Sequence, residues 1–312
     1  LSVKAKSDAQ RKKKGSDAVI VLINGTLVAA RDPWGFKPLV IGERDGNYYA
    51  ASESCALDIV GAKLIRDVEP GEIAVIDERG IRNLRLNHEC CRGMRCSFEY
   101  VYTARPDSII DGRSVYEARK EMGRLLAEQA PCTAAEITAG MPDSGTIAAV
   151  GYAERSGIPF EMGVVRNRYV GRTFIRPTQK VRELGVKIKL NPISEVFDKK
   201  KAVVIDDSIV RGTTAERVVS MIRDSGASEV HLRIASPPVL HPCMYGIDTR
   251  KEETLAAVRM TIPELCRKVG ADSLEYLSED NLTKAIGLPD DQICTACFTG
   301  KYLDETDLKA GV

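Results

Sequence analysis

No stretch of this 312-residue chain approaches the roughly 18 consecutive apolar residues of a membrane span, so nothing in it is expected to cross a bilayer. The opening residues also lack the charged, apolar and small-residue series of an export signal, and the chain reads as cytoplasmic. Net charge is nearly absent: 45 Lys and Arg against 44 Asp and Glu leave +1, with a pI near 7.6. That balance excludes an overall field for nucleic acid or a membrane surface, so phosphate chemistry has to be local. There is no internal repeat and no low-complexity segment. Histidine is scarce, at three residues, and His88 and His241 stand in loop-like surroundings where surface or packing roles are usual. Cysteine is the exception. Nine of them, an odd number without an export signal, argue against a disulfide framework and for metal binding or free thiols.

The 44% hydrophobic content suffices for a core, and the length holds one large or two ordinary domains. Basic residues at Arg11, Lys12, Lys13 and Lys14 fit a solvated helix or frayed terminus better than a nucleic-acid tail. Short strand-like runs at Ala18–Ile23, Thr26–Ala30 and Ile73–Ile76 alternate with turns at Asp32-Pro33, Asp45-Gly46 and Pro70-Gly71, which reads as antiparallel β. Residues 87–94 read as a connector. Beyond Ser97 helices and strands alternate. Ser114 and Glu117 fit a capping box before a stripe of Val115, Ala118, Met122, Leu125 and Leu126. Strands are expected over 136–141, 160–165 and 229–235, and helices over 145–156 and 214–225. Strands joined by helical crossovers imply a parallel sheet covered on both faces.

The most informative string covers residues 202–214, Ala-Val-Val-Ile-Asp-Asp-Ser-Ile-Val-Arg-Gly-Thr-Thr. A buried apolar strand ends in the carboxylates Asp206 and Asp207, at the sheet edge where open α/β folds bind ligands. The loop Ser208, Ile209, Val210, Arg211, Gly212, Thr213 and Thr214 then offers backbone N–H groups, hydroxyls and a helix N-terminus to a phosphate. A plain strand end is the bland alternative. Three more strings keep the same order: Met141-Pro142-Asp143-Ser144-Gly145 between a strand and a helix, Asn167 to Ile175 with Tyr169, Gly171 and Arg172, and Phe98 to Ser108 before the first long helix.

Together these strings resemble the glutamine phosphoribosylpyrophosphate (PRPP) amidotransferases, from about residue 17 to about residue 303. The upstream strings Leu27 to Leu39 and Ala51-Ser52-Glu53-Ser54 resemble the second half of that family's N-terminal glutaminase domain. The family opens on a nucleophilic cysteine, an asparagine-glycine oxyanion segment and an acidic glutamine-binding residue. We find no counterpart of these, and Cys55, Cys90 and Cys91 stand in the wrong context for the nucleophile. Leu1 in place of Met fits a chain that begins inside a longer gene product, or one half of a split or decayed enzyme. A sandwich with half its strands is expected to expose sheet edges and apolar surface in residues 1–85.

Cys294 and Cys297 form a C-x-x-C, which alone could be a zinc half-site, a redox pair or an accident. The resemblance adds Cys96 and Cys243, since the family's iron-sulfur branch holds a 4Fe-4S cluster through cysteines at these matching positions, with a four-thiolate zinc site as runner-up. Cys90, Cys91, Cys132 and Cys266 have no assigned partner and are left as ordinary thiols.

The resemblance implies a type I phosphoribosyltransferase α/β fold at 86–312, preceded by a partial αββα glutaminase-like β region at 1–85. It implies formation of 5-phosphoribosylamine and pyrophosphate from PRPP and ammonia, the first step of purine synthesis. PRPP would be held by Pro142, Asp143, Gly145 and residues 206–214. Mg2+ would be met by Ser144, Asp206 and Asp207, and the loop carrying Tyr169 and Arg172 would close over the substrate. Purine nucleotide inhibitors, a separate glutaminase half and a homo-oligomer are the partners the family suggests. A non-catalytic PRPP-binding regulator is the alternative, which the closing-loop string and the four cysteines disfavour.

Overall fold

The computed structural model describes residues 16–85, 93–167, 190–249 and 252–303. It divides into two compact units, one of Leu1–Ala118, His241–Arg250 and Ile286–Val312, the other of Arg119–Leu240 and Lys251–Ala285. The chain therefore leaves the first unit twice and returns twice.

The first unit is built on antiparallel β. Strands β1 (Ala18–Ile23), β2 (Thr26–Arg31), β3 (Val40–Arg44), β4 (Asn47–Ala51), helix α1 (Ser54–Ile59), β5 (Lys63–Asp67), β6 (Glu72–Asp77) and β7 (Gly80–Arg85) follow in order. They form one sheet of order β1-β2-β6-β7 and another of order β4-β3-β5. Ala29, Ala74 and Ile76 of the first sheet pack with Leu39, Ile41 and Val68, while Val28, Ala30, Ile73 and Val75 fill its other face. Strand β1 is an edge, and Val19, Ile20 and Leu22 on it are exposed, Leu22 by 71%. This is the apolar edge expected of a partial sandwich.

Between β2 and β3 the chain is fixed by two buried polar groups. Arg31 donates to Gly35 O and Lys37 O at 2.8 Å each and pairs with Asp111 at 2.8 Å. Asp32 Oδ1 accepts the N–H groups of Trp34 and Gly35 at 3.0 and 2.8 Å, while its Oδ2 is buried without a partner. Burial pushes the Asp32 carboxyl up to about 6, against the pull of those N–H groups and Arg31. The folded state thus binds the Asp32 proton more tightly than the unfolded chain does, so stability is lost as pH rises from about 4 to about 6. Asp32→Asn keeps the oxygen acceptor and abolishes the titration. The unfolding free energy of the native chain should fall relative to that of the variant, on the order of 2 to 3 kcal/mol across that interval. Denaturant melts at pH 4 and 7 measure it, and a pH-independent difference would place the titration elsewhere.

Strand β8 (Arg95–Cys96), a π-helical turn (Glu99–Thr103) and the ribbon β9 (Ile109–Ile110) with β10 (Arg113–Ser114) lead to α2 (Val115–Gln129). Ser114 Oγ accepts the Glu117 N–H at 3.3 Å, and Val115, Ala118, Met122, Leu125 and Leu126 are all buried, as their spacing implies. Glu53 Oε2 accepts from Arg105 N and Ser108 Oγ at 2.8 and 2.7 Å, which ties the Ala51–Ser54 string to the Phe98–Ser108 string.

The second unit holds the parallel sheet. Its elements are β11 (Ile137–Gly140), α3 (Ser144–Ser156), β12 (Val164–Arg166), β13 (Leu190–Pro192), α4 (Ser194–Phe197), β14 (Lys201–Asp206), α5 (Thr213–Asp224), β15 (Glu229–Ile234), α6 (Ala256–Arg259), α7 (Ile262–Val269), β16 (Ser273–Tyr276) and α8 (Glu279–Ile286). The sheet runs β11-β14-β15-β16, all parallel. Val218, Val219 and Ile222 of α5 pack with Val204, Leu232 and Ile234. The strand expected over 160–165 is not continuous. Phe160 makes one bridge to Thr138, Gly163 packs where a Cβ would lie 2.5 Å from the Phe197 ring, and Val164 then opens an antiparallel ribbon with β13. The last elements, β17 (Ile293–Cys294) and α9 (Ala296–Thr299), belong to the first unit, where β17 pairs parallel with β8. Among the described residues no helix is long and apolar enough to cross a membrane.

Candidate functional site

At the carboxyl edge of the parallel sheet β14 buries Ala202 to Ile205 and delivers Asp206 and then Asp207. Two half-buried carboxylates side by side repel, and the proton affinity of both is raised. Burial and then the Asp207 charge raise Asp206 well above the carboxylate range, and burial lifts Asp207 to about 6 against the Ser208 hydroxyl and Arg119. The Asp207 N–H donates to Asp206 Oδ1 at 2.9 Å and Ser208 Oγ donates to Asp207 Oδ1 at 2.7 Å. Such a pair is a ready seat for a cation, which would let both carboxylates ionise together.

The loop after the pair is anchored at both ends. Ile209 is buried in the core, Val210 O accepts the Ala256 N–H at 2.8 Å, and Gly212 adopts φ +80°, a left-handed conformation that side-chain-bearing residues rarely take. That turn opens α5, whose first N–H groups have no carbonyl behind them and whose positive end suits an anion. Arg211, Thr213 and Thr214 are exposed there.

Beside the pair lies the turn from Met141 to Gly145. The Met141 N–H donates to Ile205 O at 2.8 Å, and a Cβ on Gly145 would stand 2.6 Å from Ile205 O and 3.0 Å from Asp206 Cα. Only glycine lets α3 begin this close to the end of β14, and the consequence is that Pro142, Asp143 and Ser144 stand beside the acidic pair. The Pro142–Asp143 peptide is cis. Asp143 pairs with Arg166 at 2.5 Å, both exposed. Tyr169, Gly171 and Arg172 lie outside the described residues, in the stretch between β12 and β13.

The first unit gathers the other predicted group. In the β8–β17 pairing Cys96 stands directly opposite Cys294, and the His241 N–H donates to Cys297 O at 3.0 Å, joining the segment of Cys243 to α9. Cys243 Sγ accepts the N–H groups of Tyr245 and Ile247 at 3.3 and 3.5 Å. All four thiols are free of disulfides, and Cys96, Cys294 and Cys243, were they ionised, would each make ionisation of Cys297 harder. Burial pushes Cys96 up to about 12 and Cys294 to about 11, and raises Cys297 as well. Thiolates here require positive charge beside them, which bound iron or zinc supplies. Among the described residues no group of three or more His, Cys, Asp or Glu side chains is arranged to hold a single metal ion.

Sequence reading missed Arg119 and Lys37. Arg119, 2% exposed, follows Ala118 in the buried stripe of α2, and a cation inside an apolar face was the available signal. Lys37 pairs with Glu99 at 2.6 Å, a partnership across 62 positions that no local pattern announces.

No family model matches the chain. Single relatives do. The amidophosphoribosyltransferase of Bacillus subtilis is 47% identical over 296 residues, covering 94% of this chain and 62% of the relative. That of Methanocaldococcus jannaschii is 46% identical over 321 residues, covering 98% and 68%. The solved structure of the B. subtilis glutamine PRPP amidotransferase complexed with ADP and GMP superposes with a TM-score of 0.87 at 45% identity, over 97% of this chain and 67% of that one. The chain thus spans roughly two thirds of the length of these relatives. Near-full coverage at this identity, with the same α/β architecture, places the chain in the amidophosphoribosyltransferase family.

Proposed function

We propose that this chain transfers the phosphoribosyl group of PRPP to ammonia, releasing pyrophosphate and 5-phosphoribosylamine. The observation that carries the reading is the acidic pair at the end of β14, set between a glycine-opened helix N-terminus and the Pro142–Gly145 turn. PRPP presents a 5-phosphate, two ribose hydroxyls and a pyrophosphate, and the site supplies one element for each. Residues 208–214 receive the 5-phosphate through backbone N–H groups and the Ser208, Thr213 and Thr214 hydroxyls. Asp206 and Asp207 accept from the ribose hydroxyls and, with Ser144, face Mg2+. The ion supplies charge that offsets the departing pyrophosphate. Pro142, Asp143 and Gly145 shape the turn that orients the leaving group. Tyr169 and Arg172 are assigned to the loop that excludes water, which otherwise competes with ammonia for the sugar carbon.

The four thiols Cys96, Cys243, Cys294 and Cys297 are assigned to a structural 4Fe-4S cluster. The pairing that sets Cys96 opposite Cys294, the bond from the Cys243 segment to α9 and the N–H donors on Cys243 Sγ support it, with a four-thiolate zinc site as the runner-up. Ammonia would come from a glutaminase half. Purine nucleotides are proposed as inhibitors because the B. subtilis relative was solved with ADP and GMP. A cytoplasmic homo-oligomer completes the reading.

Purified protein with Mg2+ and PRPP should release pyrophosphate when ammonium is supplied, and glutamine should not substitute. Pyrophosphate release coupled to phosphoribosylamine capture measures it. Failure with ammonium overturns the transferase reading, and turnover with glutamine overturns the assignment of ammonia as the chain's own nitrogen source.

A further inference from the structure

The string from Arg31 to Leu39 resembles part of a glutaminase half, yet its side chains meet the thiol site. The Cys96 N–H donates to Phe36 O at 3.2 Å, and the Phe36 ring stacks on Tyr245 with centroids 4.2 Å apart. Trp34 and Phe36 share an apolar cluster with Tyr245, Cys294 and Ala296, with Cys243 packed against it. Arg31 and Asp32 hold the backbone of this string from below, so the position of Lys37 is fixed by hydrogen bonds on Gly35, Phe36 and its own carbonyl. The Lys37 side chain crosses the segment after Cys243, its Cε 3.6 Å from where a Cβ on Gly246 would lie. Its Nζ pairs with Glu99 at 2.6 Å, and Cys96 and Cys243 are both within reach of its charge.

We infer that Lys37 is the fixed counter-cation of the four-thiolate site, tethered by Glu99, and that it sets the potential and the retention of the cluster there. The inference rests on the 4Fe-4S reading proposed for these thiols. Four thiolates concentrate negative charge in a small, partly buried site, and one more electron adds to it. A cation held nearby stabilises the reduced state over the oxidised one and strengthens thiolate ligation in both. Glu99 cancels part of that field, so the two side chains act with opposite signs.

The test uses the full chain with iron and sulfide restored without oxygen, as wild type, Lys37→Met, Lys37→Arg and Glu99→Gln. Reduction potential is read by redox titration and iron loss by transfer to a chelator. Lys37→Met should move the potential to more negative values and speed iron loss about tenfold, the scale of a lost outer-shell partner. Lys37→Arg should restore both, and Glu99→Gln should move the potential the other way. A loaded Lys37→Met protein with the wild-type potential overturns the inference while the cluster reading stands. If Lys37→Met cannot be loaded, Glu99→Gln decides, and a potential that is unchanged or more negative overturns it. A wild type that takes up no iron and sulfide removes the cluster reading itself.

Discussion

Asp207→Asn and Asp206→Asn should each lower PRPP turnover with Mg2+ and ammonia by at least about tenfold, a loss on the order of 1.4 kcal/mol of transition-state stabilisation. Each removes one of two adjacent carboxylates that a cation would otherwise share. Because burial raises both groups in the folded protein, and the Asp207 charge raises Asp206 further, each variant relieves a cost of folding. Thermal stability should therefore hold or rise while activity falls, the pattern of a site strained for function. Calorimetric PRPP titration and a thermal melt on the same samples check both halves. Intact PRPP affinity and turnover would reduce the pair to an ordinary strand end.

Changing any one of Cys96, Cys243, Cys294 or Cys297 to Ser should bleach the protein. Prepared without oxygen, the wild type should be brown and hold about four iron and four sulfide per chain. Each Ser variant should lose that colour and unfold earlier, because ligand binding by these thiols is coupled to the fold around them. Iron and sulfide analysis with visible absorption reads the result. A colourless wild type with one zinc per chain would move the assignment to a four-thiolate zinc site.

Much of the fold and site was legible because the chemistry sits on locally patterned segments. Ala202 to Ile205 is continuously apolar and β-branched-rich, which reads as a buried strand, and the structure has Asp206 closing that strand at the sheet edge. The α5 stripe and the glycine before it are equally local. The illegible parts depend on distant partners. The failed strand at 160–165 turns on the Phe197 ring lying against Gly163, and Arg119 meets the charge of Asp207 from a helix almost 90 positions earlier. The four cysteines fall between these cases. Only the C-x-x-C is visible as a pattern, and it took the pairing of two-residue strands, β8 and β17, to set Cys96 opposite Cys294.

The path of the chain gives the thiol site a second meaning. Both excursions into the parallel-sheet unit start and finish in the unit that carries the four cysteines, one between Cys96 and Cys243 and the other between Cys243 and Cys294. Any group that joins these sulfurs converts two free-ended excursions into closed loops, and closing long loops takes most of its entropy from the unfolded chain. Loss of such a group would open both loops in one event.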